Sequence, residues 1–558
     1  MTEIVVIGCG LAGLSAAIAG AERGAHVTLV SPMVPERSQS VMAMGGINAA
    51  LDLKGEGDSC EQHFADTMRA GCFIADPGAT RRLAEAAPDV IDWLSRQGVC
   101  FTRDEQGRPA QRPFGGQRKT RTCYSGARTG KQLVSALATQ ARRYEASGAV
   151  TRLMGLRLLS LVLDDDGACV GAVLVDPMTN EAIALPADSV ILAFGAPNGV
   201  WGKTTGSQVN DGCAAGIALR DGLSFGNLEM VQFHPTTLET PSKRMLVTEA
   251  ARGLGGRLYA LRDGRPWYFM EEWYPELGAL MPRDVVSRSI YRVVHEMGLK
   301  HDGRDEVLLD ITHLRADVIE RDLDEVLDTC LTYRGIDPRV EPIPVYPGVH
   351  FSMGGILVDE GNRADVDRVM AAGECACQFH GANRLGGNST LAAVHGGRLC
   401  AESAVQQGPG ASGPRRDAAL DEALAGARAD IAAWSACGPT GEPSRDVRAR
   451  LVQTMHACMG IYRDAAGLER GLGTLRDLFE GCRSTGCGES YYDFLSTREE
   501  LRLAVAMVGS ALERKESRGA HQRTDFPDTD DERYRATMVT SWRDGRARTE
   551  VRACQTHA

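Results

Sequence analysis

The sequence predicts an α/β protein: a nucleotide-binding domain on a parallel sheet, interrupted by an inserted domain and followed by a helical domain. Three observations carry this reading. A G-x-G-x-x-G turn stands between an apolar strand and an apolar helix near the start, two further apolar strand-like runs lie far downstream, and from Arg415 the pattern changes to long helix-like segments.

Ile4-Val5-Val6-Ile7 reads as a short buried strand, Leu11 to Arg23 as a helix, and Val27 to Val30 as a second strand, so the turn Gly8-Cys9-Gly10-Leu11-Ala12-Gly13 has a β-turn-α-β context. Gly8 permits the tight turn, Gly10 lets backbone N–H groups approach a pyrophosphate, and Gly13 lets helix and strand pack closely. A glycine-rich core turn is the plain alternative. Ile4 to Ala21 is also the one uncharged run as long as a membrane span, but Met1-Thr2-Glu3 lacks a basic flank and the run holds four glycines. It therefore reads as a buried βα unit of a soluble chain with no direct membrane span. Ser31 follows Val30 where a ribose-binding acid would stand, which disfavours NAD. Farther on, Ser189 to Phe194 reads as a strand ending at Gly195, Asn210-Asp211-Gly212 precedes a helix over Cys213 to Arg220, and Val369 to Glu374 reads as a strand ending in an acid. Nucleotide-contacting elements so widely spread suit an extended FAD.

Residues 1–232 and 352–410 are thus read as two parts of one FAD-binding domain. Residues 233–351, rich in charge, aromatics and turn residues, form the inserted domain, and 411–515 the helical domain. The helical domain shows segments near Arg416–Ala436, Ser444–Arg463, Leu468–Cys482 and Thr497–Glu513, broken near Gly438-Pro439, Ala465-Ala466-Gly467 and Gly486-Cys487-Gly488. The C-terminal segment, 516–558, reads as polar and irregular, with Asp525 to Asp531 as a loop.

Composition bounds the partners. The 63 glycines among 558 residues follow no G-X-Y period, so many backbone positions turn sharply or approach something closely. A net charge of −11 disfavours a general nucleic-acid or anionic-membrane binder, because the summed field repels both. The sixteen cysteines contain no C-x-x-C and are scattered from Cys9 to Cys554. Reduced cytoplasmic thiols follow, with no ferredoxin-type cluster in this chain and no metal-ligating set, so any iron–sulfur relay belongs to a partner.

Four segments concentrate reactive groups: Gln232-Phe233-His234-Pro235-Thr236, Val247-Thr248-Glu249-Ala250-Ala251-Arg252-Gly253, Pro282-Arg283-Asp284 and His350-Phe351-Ser352-Met353-Gly354-Gly355. His380-Gly381-Ala382-Asn383-Arg384-Leu385-Gly386 joins them. Singly, each has a plain structural reading. Together, with Ser40 to Gly46 and Arg514 to His521, their order resembles the flavoprotein subunit of the fumarate reductase and succinate dehydrogenase family, which also includes L-aspartate oxidase. The resemblance covers nearly the whole chain. It implies a Rossmann-type FAD domain, an inserted α+β capping domain that closes over the substrate, and a C-terminal helical domain.

The resemblance also implies roles. Gly8, Gly10, Gly13, Ser31, Ser38, Gln39, Ser40, Gly45, Gly46, Asp211, Glu374, Arg384 and Ser389 would contact FAD, while His234, Thr248, His350 and Arg384, with Phe114 and Gly46, would face the substrate. Fumarate carries two negative charges, so binding needs several donors or cations in a water-poor cleft. Hydride from flavin N5 gives the alkene carbanion character, and a proton must come from the opposite face. Arg283 aligns with the family's proton-donating arginine, with Glu249 and Arg252 as its relay; a structural ion-pair network is the plain alternative. Free arginine, with a pKa of about 12.5 or more, is a weak acid, so this use demands burial, neighbouring positive charge and fast proton resupply.

Two positions bear on the comparison with relatives, and only the second separates the fumarate enzymes from L-aspartate oxidase, which also holds FAD noncovalently. Respiratory members carry a flavin-linked histidine in Arg-Ser-His-Thr, where this chain has Arg37-Ser38-Gln39-Ser40, so FAD should be held noncovalently. The oxidase usually has a glutamate, suited to a substrate ammonium, where Phe114 stands in Arg112-Pro113-Phe114-Gly115-Gly116. The leading expectation is therefore fumarate reduction to succinate, with electrons supplied by an iron–sulfur subunit and membrane association, if any, through a partner. The rivals are L-aspartate oxidase, a reductase of another unsaturated carboxylate, and an FAD-containing nucleic-acid-binding module.

Overall fold

The computed structural model describes residues 1–436, 441–482 and 489–553. A five-stranded, all-parallel sheet lies at the centre of the nucleotide unit, in the order Val369–Ala371, Ser189–Leu192, Glu3–Ile7, His26–Ser31, Val150–Met154. The strands Val369–Ala371, Ser189–Leu192 and Glu3–Ile7 are short apolar runs buried on both faces, as a parallel sheet covered by helices requires, while the edge strand Val150–Met154 is only partly buried. The helices Leu11–Glu22 and Asn388–Gln407 pack together on one face. The sequence-distant strands at 189 and 369 thus sit beside the first strand, which explains how turns far apart in the chain meet at one cleft.

Residues 231–352 form a six-stranded antiparallel sheet. Its longest strands, Val231–Glu239 and Ile343–Ser352, are the first and last of the stretch and pair with each other, with Gln232 opposite Phe351. A hydrophobic cluster drawn from Leu238 to Val345 gives this stretch its own core. Helix Arg283–Tyr291 packs against strand Val231–Glu239.

The C-terminal half shows long helices at Pro414–Ala436, Ser444–Cys458, Ala465–Gly481 and Tyr491–Glu513. The break expected at Ala465-Ala466-Gly467 is instead a first helical turn, because the Asp464 side chain accepts from the Gly467 amide at 2.7 Å and caps it. The helix from Ser444 stops at Cys458, and Arg463 lies in a strand-like bridge with Arg523. The breaks expected at Gly438-Pro439 and Gly486-Cys487-Gly488 fall outside the described residues.

The expectation of an irregular end after Glu516 requires correction. Ala536–Arg543 and Arg546–Ala553 form a β-hairpin that joins a five-stranded sheet through Phe225–Gly226. The two-residue turn, Asp544-Gly545, has φ of 52° and 75°, the left-handed pair that matches strand twist. This Asp-Gly signal was available, but the outer strand is largely exposed and carries no apolar alternation. Arg514, fully buried, ties the segment down: it donates to Glu229 at 2.7 Å, to Glu516 at 2.8 Å and to the Tyr534 and Ala536 carbonyls.

Candidate active site

The site grows from two short helix starts. In Thr248-Glu249-Ala250-Ala251-Arg252 the Thr248 hydroxyl accepts from the Ala250 amide and caps the helix Glu249–Gly253, placing Glu249 at its positive end and Arg252 in its last turn. One Glu249 oxygen receives Arg252 Nη2 at 3.2 Å, and the other receives Arg283 Nη2 at 2.7 Å and Nε at 3.1 Å. Arg283 is the first residue of helix Arg283–Tyr291, an unfavourable place for a cation that Glu249 offsets. Burial raises the Glu249 pKa, but Arg283 and Arg252 outweigh it and hold the carboxyl below its usual range. Burial, against the pull of Glu249, depresses the Arg252 guanidinium. The backbone crowds this carboxylate: a Cβ on Gly115 would lie 2.3 Å from Glu249 Oε1, and one on Gly386 would lie 2.9 Å from Oε2 and 2.5 Å from the Phe114 ring.

Gln232 links this triad to a second cation. Its Oε1 accepts from Arg283 Nη1 at 3.0 Å and from Arg384 Nη2 at 3.2 Å, and its Nε2 donates to Asn383 Oδ1 and the Arg384 carbonyl. Arg384 lies over the Phe351 ring at 4.1 Å and also donates to His350 Nε2 at 3.0 Å. His350 Nε2 is therefore an acceptor, and its Nδ1–H donates to Thr205 Oγ1 at 2.7 Å. Burial, then the positive charge of Arg283, lowers the affinity of His234, His350 and Arg384 for protons, so both imidazoles are neutral at pH 7. His234 Nδ1 lies 3.1 Å from the Thr236 carbonyl and 3.3 Å from its amide, while Nε2 is buried without a hydrogen-bond partner among the described residues.

His234, Glu249, Arg283, His350 and Arg384 line a cleft that runs to the glycine turn. Of the expected residues, Gly8, Gly10, Ser31, Ser38, Gln39, Ser40, Gly45, Gly46, Phe114, Asp211, His234, Thr248, Glu249, Arg283, His350, Glu374, Arg384 and Ser389 line it. Gly13 and Arg252 stand behind it. A Cβ on Gly13 would fall 1.7 Å from the Gly8 carbonyl oxygen, the close approach expected of the third glycine. Glu374 accepts from the Ser352 amide at 3.0 Å, and burial pushes its carboxyl up. Asp211 accepts from Arg157 at 2.9 Å and from Tyr492 Oη at 2.8 Å.

The lining fits an extended flavin dinucleotide. Ser38 Oγ, Gln39 Oε1, His234 Nε2 and Arg384 Nε are buried with no hydrogen-bond partner among the described residues, and each belongs to a residue lining the cleft. Buried polar atoms carry such a cost unless a bound group completes them. Sequence reasoning missed Leu156 and the start of the strand Arg157–Leu163, the bridging role of Gln232, and Tyr492, which the helix Tyr491–Glu513 sends into the cleft. Gln232 lay within a singled-out segment; the others carried no local signal.

Comparison with known proteins finds relatives over nearly the whole chain. The family described as FAD binding domain matches residues 3–390, and that described as fumarate reductase flavoprotein C-term matches residues 448–558. The chain is 38% identical over 548 residues to the succinate dehydrogenase flavoprotein subunit of Bacillus subtilis (strain 168), covering 96% of this chain and 94% of the relative. It is 36% identical over 586 residues to the fumarate reductase flavoprotein subunit of Mycobacterium tuberculosis (strain CDC 1551 / Oshkosh), covering 98% of this chain and 96% of the relative. A solved E. coli quinol fumarate reductase matches with a TM-score of 0.92 at 30% identity, covering 100% of this chain and 97% of that one.

The packing at the glycine turn makes a direct prediction. Gly13→Ala forces its Cβ against the Gly8 carbonyl, so the variant should purify without its flavin chromophore while retaining its far-ultraviolet circular dichroism. Full flavin occupancy in this variant would contradict the close-approach reading.

Proposed function

Because the chain belongs to the family of succinate dehydrogenase and fumarate reductase flavoprotein subunits, FAD-dependent oxidoreductases, we propose that its cleft reduces fumarate to succinate with Arg283 as proton donor. The observation that carries this reading is a buried carboxylate, Glu249, held between two guanidiniums, one of which reaches the cleft beside Arg384 and the unpartnered Nε2 of His234.

Bound FAD supplies a hydride from N5, and the remaining chemistry falls to the chain's own groups. Arg384, the Thr248 hydroxyl and His234 Nε2–H donate to the two carboxylates; His234 does so in the tautomer whose Nδ1 accepts from the Thr236 amide. His350 and Gln232 hold Arg384 in place for this task. One alkene carbon gains the hydride, and the other takes a proton from the Arg283 guanidinium, so two C–H bonds form and the product is again a dianion. Arg283 regains its proton along Glu249 and Arg252, which are already in contact with it or with each other. Glu249 is 2% exposed at its side chain, so this route is shielded from bulk water.

The relatives bear names of both reaction directions, so the direction proposed here rests on Gln39. A glutamine offers no ring nitrogen for a covalent flavin bond; FAD is then held noncovalently, its reduced form is a better donor and its oxidised form a poorer acceptor. Electrons arrive from an iron–sulfur or thiol-linked partner, a reading supported by relatives whose names each describe one subunit of a larger enzyme. Among the described residues no helix is long and apolar enough to cross a membrane, so membrane association would run through that partner.

Four measurements test this reading. Acid precipitation should leave the yellow chromophore in the supernatant, and fluorescent flavin on the band of a denaturing gel would refute noncovalent binding. Arg283→Lys should lower kcat for fumarate about a hundredfold or more with FAD occupancy intact, because an ammonium lacks the forked reach to Glu249 and Gln232; near-normal turnover would place the proton donor elsewhere. With artificial donors and acceptors, fumarate reduction should far outrun succinate oxidation. Hydrogen peroxide formation from L-aspartate at a comparable rate would favour the oxidase and remove the role given to Phe114.

A further inference from the structure

Thr205 lies in the loop between Trp201 and Cys213 and lines the cleft. The loop is pinned on both sides of it. The Thr205 amide donates to the Val349 carbonyl at 3.0 Å, and the Thr204 carbonyl accepts from the Arg244 amide at 3.1 Å. The Thr204 hydroxyl donates to Asn198 Oδ1 at 3.2 Å and accepts from the Gly206 amide at 2.9 Å. Thr205 therefore meets the strand Ile343–Ser352 twice, through its amide at Val349 and through its hydroxyl at His350.

The hydroxyl decides which nitrogen of His350 carries the proton. A guanidinium has only donors, so Arg384 Nη2, 3.0 Å from His350 Nε2, requires a lone pair on that nitrogen. The proton of the neutral ring then sits on Nδ1, and Thr205 Oγ1, 2.7 Å away, accepts it. The hydrogen of the hydroxyl itself is directed to the Val349 carbonyl at 3.5 Å, which leaves the oxygen lone pairs for the ring. Without that acceptor, Nδ1–H would be a buried orphan, and the other tautomer would set Nε2–H against an Arg384 N–H. His350 Nε2 and Gln232 Oε1 both engage Arg384 Nη2, and Arg384 Nε, buried with no hydrogen-bond partner among the described residues, is left for an anion.

We propose that Thr205 is a positioning residue of the substrate site: its hydroxyl fixes the His350 tautomer and, through it, the orientation in which Arg384 meets a carboxylate. The inference rests on the dicarboxylate reading of that site. Thr205 acts through His350 rather than by touching the substrate.

The test uses the FAD-loaded protein. Thr205→Val keeps the bulk and removes the hydroxyl, so KM for fumarate and Kd for succinate should rise about tenfold while kcat changes less than about threefold and FAD content stays full. Thr205→Ser retains the hydroxyl and should stay within about threefold of the parent on both constants. In a His350→Ala background Thr205→Val should add less than about twofold, because the residue it acts through is gone. A second readout needs no substrate. With isotope-labelled histidine, the nitrogen NMR signals of His350, assigned by their disappearance in His350→Ala, should show hydrogen on Nδ1 and none on Nε2 in the parent and in Thr205→Ser, and should lose that pattern in Thr205→Val. A parent ring protonated on Nε2, parent-like KM and Kd in Thr205→Val, or an undiminished Thr205→Val effect in the His350→Ala background would each overturn the proposal. If the parent neither reduces fumarate nor binds succinate, the dicarboxylate reading fails; the nitrogen signals of the ligand-free protein still decide the role of Thr205 at His350.

Discussion

Everything at this site depends on keeping one carboxylate, Glu249, ionised out of water between two arginines. Removing one partner of a buried ion pair costs about 3–5 kcal/mol, because the remaining charge is left uncompensated. The surroundings of Glu249 are organised around that cost: Thr248 caps its helix, the helix start favours its charge, Arg252 and Arg283 occupy separate oxygens, and Gly115 and Gly386 bring backbone against it where any side chain would collide. The same packing excludes water from the groups that face the substrate.

The link from Arg283 through Gln232 to Arg384 is held across three parts of the fold. Gln232 sits on the first strand of the six-stranded antiparallel sheet, Arg283 starts a helix packed on that strand, and Arg384 lies on a loop before the helix Asn388–Gln407. Asp284 accepts from Asn383 at 2.9 Å and from Arg288 at 2.8 Å, and Arg288 also donates to the Gly519 carbonyl. The Ala520 amide in turn donates to the Ala382 carbonyl. The C-terminal loop therefore braces both arginine-bearing elements, and Arg514 fixes that loop to Glu229 in the FAD-binding part.

Much of this was legible in the sequence. The glycine turn, the strand at 189, the helix Cys213–Arg220 and the strand at 369 are local patterns, and the apolar periodicity that predicts them is also what buries them. The C-terminal hairpin was missed because its outer strand faces solvent, and the first turn of the helix Ala465–Gly481 because an aspartate cap outweighs two alanines and a glycine read as a break. Glu249, Arg252 and Arg283 were legible as a set only through family resemblance, since a charged residue in a single sequence carries no mark of burial. The linking role of Gln232 arises from tertiary contact and had no local signature.

The central claim is that Glu249 relays protons to Arg283 rather than serving as a brace alone. The most direct measurement is Glu249→Gln, a change that keeps shape and removes charge, assayed for fumarate turnover, FAD content and succinate Kd in one preparation. The relay predicts that kcat falls about a hundredfold or more while FAD content stays full and the Kd moves only a few-fold. A Glu249→Gln protein that turns over at the parent rate would contradict it.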